Sequence, residues 1–195
     1  MAFASFADIP IIYTEQSVDV IHPDRVVCLQ DRSQNTHTTP ALGLLERVLA
    51  EPMLRFLVLE RSAYSTVNEE HLDLIQQHMK QDPTLTALRM AHYTFDSNLC
   101  TKLSHILSYP GCTLNMLDLG STMLMEGEKL WKAIEQNTTL TKIGLSGCKL
   151  TQECFDAMSE CMRKNHVIHS LLLRDTGLVL LDMKELPRWL LNHPS

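Results

Sequence analysis

The amino-acid sequence predicts an α/β solenoid, a right-handed coil in which short parallel strands alternate with helices. Three observations carry this prediction. Leucine-type residues recur in one register, successive copies start 26 to 31 residues apart, and each copy has period-two apolar residues followed by a segment with helical spacing. Because one copy cannot bury its apolar face alone, neighbouring copies must stack to form a core.

The clearest copy of this pattern runs from Leu140 to Leu150 and reads Leu-Thr-Lys-Ile-Gly-Leu-Ser-Gly-Cys-Lys-Leu. Ile143 and Leu145 are two residues apart, which predicts that they lie on the same side of a short strand. Cys148 follows where the chain has to turn inward, so we interpret it as a structural turn residue. Four further copies begin at Leu54, Leu85, Leu114 and Ile168.

The repeats are predicted to span residues 23–178 as five to six copies within one domain. The first and weakest copy would place Val26 and Cys28 in the apolar positions of its strand. Residues 1–22 are predicted to form an N-terminal cap and residues 179–195 a C-terminal capping helix. Such caps are expected because the end copies of a stack would otherwise expose apolar surface and an open sheet edge.

Helices are predicted between the strands. The first covers Pro40 to Leu49, and the second follows Asn68, whose side chain suits an N-cap position. Apolar residues at helical spacing then predict three more helices. These begin near Asp96, Glu126 and Thr151 and end near Tyr109, Gln136 and Asn165, and the closing helix follows Leu178.

With this pattern, L-x-x-L-x-L-x-x-C-x-L, the chain resembles leucine-rich repeat proteins of the ribonuclease-inhibitor type. That class also contains the repeats of NOD-like receptors and of Ran GTPase-activating proteins. The resemblance implies a curved solenoid with parallel strands on the concave face and helices on the convex face. The chain departs from the family at the position usually held by asparagine, which is occupied here by Ser62, Tyr93, Thr122, Cys148 and Thr176.

Composition narrows the class of partner and the compartment. The net charge of the 195-residue chain is −6, which argues against nucleic acid, because phosphate binding needs lysine and arginine concentrated on one face. The six cysteines form no close CxxC pair and are interpreted as buried thiols of a reducing compartment. No stretch approaches the roughly 18 to 20 apolar residues of a membrane span. A cytoplasmic protein is therefore expected, in the producing cell or in a host cell.

Motifs for catalysis are not found in the sequence. It contains no P-loop, no GxSxG, no HExxH and no Rossmann glycine pattern. Cys161, His166 and His169 can be drawn as metal ligands, but Cys161 belongs to the buried stripe of a predicted helix. We therefore expect a protein that is not an enzyme and that holds no cofactor or metal.

The strand residues between the leucines are predicted to point away from the core and to form the binding face. Arg89 and Asp118 are expected to be neighbours on adjacent strands. They are either an exposed ion pair worth about 0–1 kcal/mol or an orienting pair at the centre of this face. Apolar residues on the face suggest a partner surface, although Phe56 and Val58 are alternatively covered by the N-terminal cap. The predicted concave-face residues are Phe56, Val58, Arg89, Met116, Asp118, Lys142, Leu172 and Arg174.

Loops after the strands form a second candidate surface. Tyr64, His92 and Tyr93 are predicted to cluster there, and loops on a rigid scaffold often carry recognition. Small residues near the strand ends, such as Gly144 and Gly147, either leave room for a partner or reflect tight curvature.

These observations favour a monomeric, non-enzymatic module that binds a protein of unknown identity through the concave face and the loops. A more specific version is a repeat-only effector of an intracellular pathogen, because the chain has almost nothing besides its repeats. Two alternatives remain open. One is a regulator of a small GTPase or another enzyme, and the other is a fragment of a larger receptor or scaffold.

Overall fold

A computed structural model describes residues 26–30, 42–51, 53–60, 67–124 and 127–176, with the side chains of residues 26–30, Leu44 and Glu60 excepted. The predicted caps, residues 1–22 and 179–195, lie outside these ranges, as do Ser62 and Tyr64.

The chain forms a mixed α/β architecture in which strands alternate with helices. The strands are β1 (Val26–Gln30), β2 (Phe56–Glu60), β3 (Ala87–Ala91), β4 (Thr94–Phe95), β5 (Met116–Asp118), β6 (Met123–Leu124), β7 (Lys142–Gly144) and β8 (Ser170–Leu172). The helices are α1 (Leu42–Leu49), α2 (Glu69–Gln81), α3 (Ser97–Ser108), α4 (Glu128–Gln136) and α5 (Gln152–Lys164).

Six strands form one sheet in the order β1-β2-β3-β5-β7-β8, and every neighbouring pair is parallel. A second, two-stranded parallel sheet pairs β4 with β6. Each strand of the large sheet thus lies beside the preceding one after a helical crossover, as parallel pairing requires. The register predicted from the leucine pattern is confirmed from β2 to β8, where Leu57, Leu88, Leu117, Ile143 and Leu171 stand side by side.

The register predicted for the first copy is wrong by one residue. Val27 pairs with Leu57 and Leu29 with Leu59, so these two residues hold the positions assigned to Val26 and Cys28. The reason lies in the sequence of β1, Val-Val-Cys-Leu, which is apolar at four consecutive positions and has no period-two signal. Pairing with β2 selects the register, and the strand's own pattern does not.

The helix starts follow the predicted caps. Asn68, Asp96 and Thr151 precede α2, α3 and α5, and each side chain accepts a hydrogen bond from the backbone N–H three residues later. The helix α4 begins at Glu128, two residues after the predicted start, and Gly127 before it makes no side-chain cap. None of the described helices is long and apolar enough to cross a membrane.

The core lies between one face of the large sheet and the helices. Strand residues such as Leu88 and Leu117 are fully buried there, together with helix residues such as Ile75 and Leu103. Each large side chain buried in this way contributes roughly 1.5–3 kcal/mol. The alternate strand residues face the other way and form what we call the outer face. Its described members include Phe56, Val58, Ala87, Arg89, Ala91, Met116, Asp118, Lys142, Gly144, Ser170 and Leu172.

A turn of one kind recurs after β3, β5, β7 and β8. His92, Ser121, Gly147 and Asp175 all adopt left-handed backbone conformations, with φ between 53° and 76°. Each precedes a buried residue in the asparagine position of the pattern, namely Tyr93, Thr122, Cys148 or Thr176. The four copies whose turns are described therefore share the backbone conformation of the turn as well as the strand register.

Candidate binding face

The centre of the outer face holds the predicted charged pair. Arg89 and Asp118 are direct partners in the β3–β5 register, and Arg89 Nη1 lies 3.7 Å from Asp118 Oδ2. The backbone N–H of Gly120 donates a hydrogen bond of 2.9 Å to the other carboxylate oxygen of Asp118. The side chains are 26% and 13% exposed, so the pair lies partly below the surface. The carboxylate is therefore held in place from two sides.

Gly144 is small because Asp118 occupies the space above it. A Cβ atom on Gly144 would overlap the Asp118 carboxylate, whose Cγ lies 2.7 Å from the ideal Cβ position. Gly147 is constrained in a different way, since its φ is +76° and Ser121 Oγ lies 2.6 Å from its ideal Cβ position. The room predicted for a partner at Gly144 is therefore already filled by the chain itself.

The expectation that Val58 and Met116 face solvent is wrong. Their exposed fractions are 5% and 6%. In the strand register Val58 stands between Cys28 and Arg89, and Met116 stands between Ala87 and Lys142. Leu172 on β8 is 43% exposed, and Phe56 is partly exposed. Exposed apolar surface on the described outer face is thus concentrated at β8. Whether the N-terminal cap covers Phe56 and Val58 lies outside the described residues.

The predicted aromatic cluster in the loops does not form as expected. Tyr93 is only 4% exposed and belongs to the hydrophobic core, so its assignment to a binding loop is wrong. The physical reason is its place in the asparagine position of the repeat, directly after the left-handed His92, where side chains turn inward. His92 itself is exposed, and Tyr64 lies outside the described residues.

Three predicted residues remain accessible on the last two strands. Lys142 is partly exposed and lies beside Ser170 in the β7–β8 register, while Leu172 and Arg174 are exposed. The ladder continues past β8, because the Gly147 N–H donates a 2.6 Å hydrogen bond to the Arg174 carbonyl. We call Lys142, Ser170, Leu172 and Arg174 the β7–β8 surface.

A buried polar ladder joins the helix ends to the next strands. The Asn165 side chain donates to the carbonyls of Ile134 (2.8 Å) and Asn137 (3.0 Å) and accepts from the backbone N–H groups of Val167 (2.8 Å) and Ile168 (3.0 Å). Asn137 does the same one copy earlier, with the Leu107 carbonyl as acceptor. Sequence reasoning used Asn165 only as a helix end. The signal for its role was the recurrence of asparagine after α4 and α5.

The cysteines are buried, as predicted. Cys148 donates to the Leu119 carbonyl at 2.9 Å and lies 3.5 Å from Thr122 Oγ1, so it caps a turn as expected. Burial raises the pKa of Cys148 and Cys154, and it raises the pKa of Cys161 to about 12. These thiols therefore stay protonated at neutral pH. Cys28 lies in β1, where side chains are not described.

Possible metal ligands and a cavity are two further features of the described chain. In the described part of the chain, no group of three or more His, Cys, Asp or Glu residues is arranged to hold a metal ion. Cys161 is buried in α5, whereas His166 and His169 are exposed beyond its end. A cavity of about 700 Å³ lies at the N-terminal ends of α4 and α5, lined largely by apolar side chains such as Met123 and Leu150.

Comparison with protein-family models finds no match to this chain, and comparison with curated proteins finds no similar sequence.

Proposed function

We propose that this chain is a leucine-rich repeat solenoid of the ribonuclease-inhibitor type that binds another protein through its outer face. Support comes from the parallel strands added in chain order, each after a helix, and from the turn that recurs after β3, β5, β7 and β8. In this arrangement the outer face is the concave surface and the helices lie on the convex side. The proposal includes a non-enzymatic, monomeric protein that works in the cytoplasm.

One observation carries the proposal most directly. The β7–β8 surface presents Leu172 at 43% exposure, with Lys142 beside Ser170 two residues before it and Arg174 two residues after it. Its backbone is fixed by a continuous ladder to the rest of the sheet. A rigid surface loses little conformational entropy on association, and an apolar side chain beside two cations offers contacts to a partner of complementary charge.

Site-specific photo-crosslinking tests this function. A photoreactive amino acid replaces Leu172, and a matched control places it at Gln77, which is exposed on α2. Both variants are irradiated in cell lysate and analysed by mass spectrometry. We expect protein adducts that form from position 172 and not from position 77. Equal adducts at both positions, or adducts at position 77 alone, would contradict recognition by the outer face.

A further inference from the structure

We propose that the β7–β8 surface binds an extended acidic segment of a partner protein, with an apolar residue flanked by two carboxylates four residues apart. This inference rests on the proposed function and adds the chemistry of the partner. It depends on three features of the surface: the distribution of charge, the geometry of the exposed side chains and the opposite charge of the helix side.

The charged side chains of the outer face differ in whether an opposite charge stands beside them in the strand register. The Asp118 carboxylate accepts from the Gly120 N–H and lies beside Arg89, so the two opposite charges at the centre offset each other. Lys142 and Arg174 have no comparable carboxylate among their register partners, which are Met116 and Ser170 for Lys142 and the Gly147 turn for Arg174. The described outer face is therefore positive at its β8 end, although the chain as a whole carries −6.

The helix side carries the opposite charge. The groove between α4 and α5 is lined by five carboxylates and only two lysines, Lys132 and Lys164. Lys164 is already paired, at 3.1 Å from Glu160 and 3.4 Å from Glu135. An acidic partner is thus repelled from this groove and attracted to the β8 end of the outer face, which favours one orientation of approach.

The geometry sets the spacing of the partner's groups. Ser170 and Leu172 lie in β8, Arg174 follows in the turn after the strand, and Lys142 stands beside Ser170. The hydrogen bond from the Gly147 N–H to the Arg174 carbonyl continues the ladder to this position, and residues four positions apart in an extended chain are separated by about 13 Å. Lys142 and Arg174 therefore lie on either side of Leu172 at the spacing of carboxylates four residues apart in an extended segment. Arg174 and the exposed Asp175 share the turn after β8, in which Asp175 has the left-handed conformation.

A protein segment fits this surface better than nucleic acid does. Phosphate backbones are bound by several lysine and arginine residues that track along the strand. Here two cations stand far apart, and the group between them is the aliphatic side chain of Leu172. Paired carboxylates around an apolar residue match all three positions.

Peptide display on the full chain tests the inference. A random ten-residue peptide library is selected on the wild type, on Lys142→Glu plus Arg174→Glu, and on Lys129→Glu plus Lys132→Glu. The last variant makes the same charge change on exposed residues of α4. We expect the wild type and the α4 control to enrich peptides with two acidic residues four apart around an apolar one. Enrichment on the β7–β8 variant should fall by about tenfold or more, since close charge pairs across an interface dominate such selectivity.

Further variants keep folding and binding separate. Lys142→Gln plus Arg174→Gln should also lose acidic peptides, and circular dichroism should show a thermal unfolding midpoint close to that of the wild type. Leu172→Ser should relax the requirement for the central apolar residue and leave the acidic pair.

Several results would overturn the inference: no enrichment, enrichment of basic peptides, acidic peptides that persist on the β7–β8 variant, or a single-stranded oligonucleotide that binds wild type and not this variant. A different result separates this inference from the proposed function. Crosslinks from position 172 to a protein without acidic segments would reject the acidic partner and leave the binding module in place.

Discussion

The buried turns and the outer face use polar side chains in opposite ways. In the turn after α5, Asn165 is 3% exposed and its amide serves two carbonyls and two backbone N–H groups. On the outer face, Asp118 makes one hydrogen bond to backbone and one contact of 3.7 Å to Arg89. The asparagine and its hydrogen bonds recur after α4 and α5, whereas the position of Asp118 is held by Arg89 and Gly144 on the neighbouring strands. The two kinds of polar residue thus differ in recurrence and in the number of backbone groups that they bind.

The largest expected effect is in the buried ladder. Asn165→Ala leaves the backbone N–H groups of Val167 and Ile168 and the carbonyl of Ile134 without their side-chain partner. Each buried polar group left unsatisfied costs about 1–3 kcal/mol, so we expect a loss of roughly 3 kcal/mol or more. Urea unfolding followed by circular dichroism measures it. The control Asn98→Ala changes an exposed asparagine of α3 and should alter stability little. Similar values for both variants would remove the distinction between buried and exposed polar residues.

The second-largest expected effect concerns the contact between Gly144 and Asp118, which tests whether outer-face residues contribute to stability. Gly144→Ala places a methyl group against the Asp118 carboxylate and forces it away from the Gly120 N–H. We expect a loss of about 1–2 kcal/mol, typical of local overpacking. Adding Asp118→Ala removes the overlap, so the double variant should lose less than the sum of the single ones. Strictly additive free energies of unfolding would show that the two positions do not interact.

The sequence predicted those parts of the fold that depend on local signals. The leucine register, the helix caps at Asn68, Asp96 and Thr151 and the inward position of Cys148 were predictable, because apolar period and cap chemistry are local signals. The register of β1 was not, because its apolar run has no alternation.

The candidate site was predicted less well. Strand alternation correctly placed Arg89 opposite Asp118, yet Val58 and Met116 proved buried and Tyr93 turned into the core. Alternation gives the side of the sheet on which a residue lies, whereas exposure depends on what packs over that side. The need for glycine at position 144 comes from the Asp118 carboxylate on the neighbouring strand. That carboxylate belongs to another copy of the pattern, so no single copy predicts the need.

A smaller effect concerns pH. His78 is buried at the end of α2, and burial lowers its pKa below the ordinary 6.5, against the opposing influences of the Asp82 carboxylate and the Leu49 carbonyl. As pH falls through 6.5, the unfolded chain takes up a proton that the folded protein resists, so stability falls until the folded pKa is reached. Each pKa unit of depression corresponds to about 1.4 kcal/mol.

Urea midpoints measured between pH 7.5 and 5 test this contribution. His78→Gln should flatten the acid-side decline, whereas His105→Gln, a change at an exposed histidine of α3, provides the matched control. An identical decline in wild type and His78→Gln would assign the pH dependence to other groups.

The smallest expected effect is at the centre of the outer face. Arg89→Gln keeps a polar side chain and removes the charge beside Asp118, a pair that is partly solvated at 26% and 13% exposure. Such pairs contribute about 0–1 kcal/mol, so the free energy of unfolding should change by less than in Gly144→Ala. The wild-type value should also approach that of the variant in 1 M salt, because partly exposed charges are screened. A loss as large as that of Asn165→Ala would instead make this ion pair part of the structural ladder. Lys142 and Arg174 would still be the charges of the outer face that can contact a partner, because the place of neither in the sheet depends on the Arg89–Asp118 ion pair.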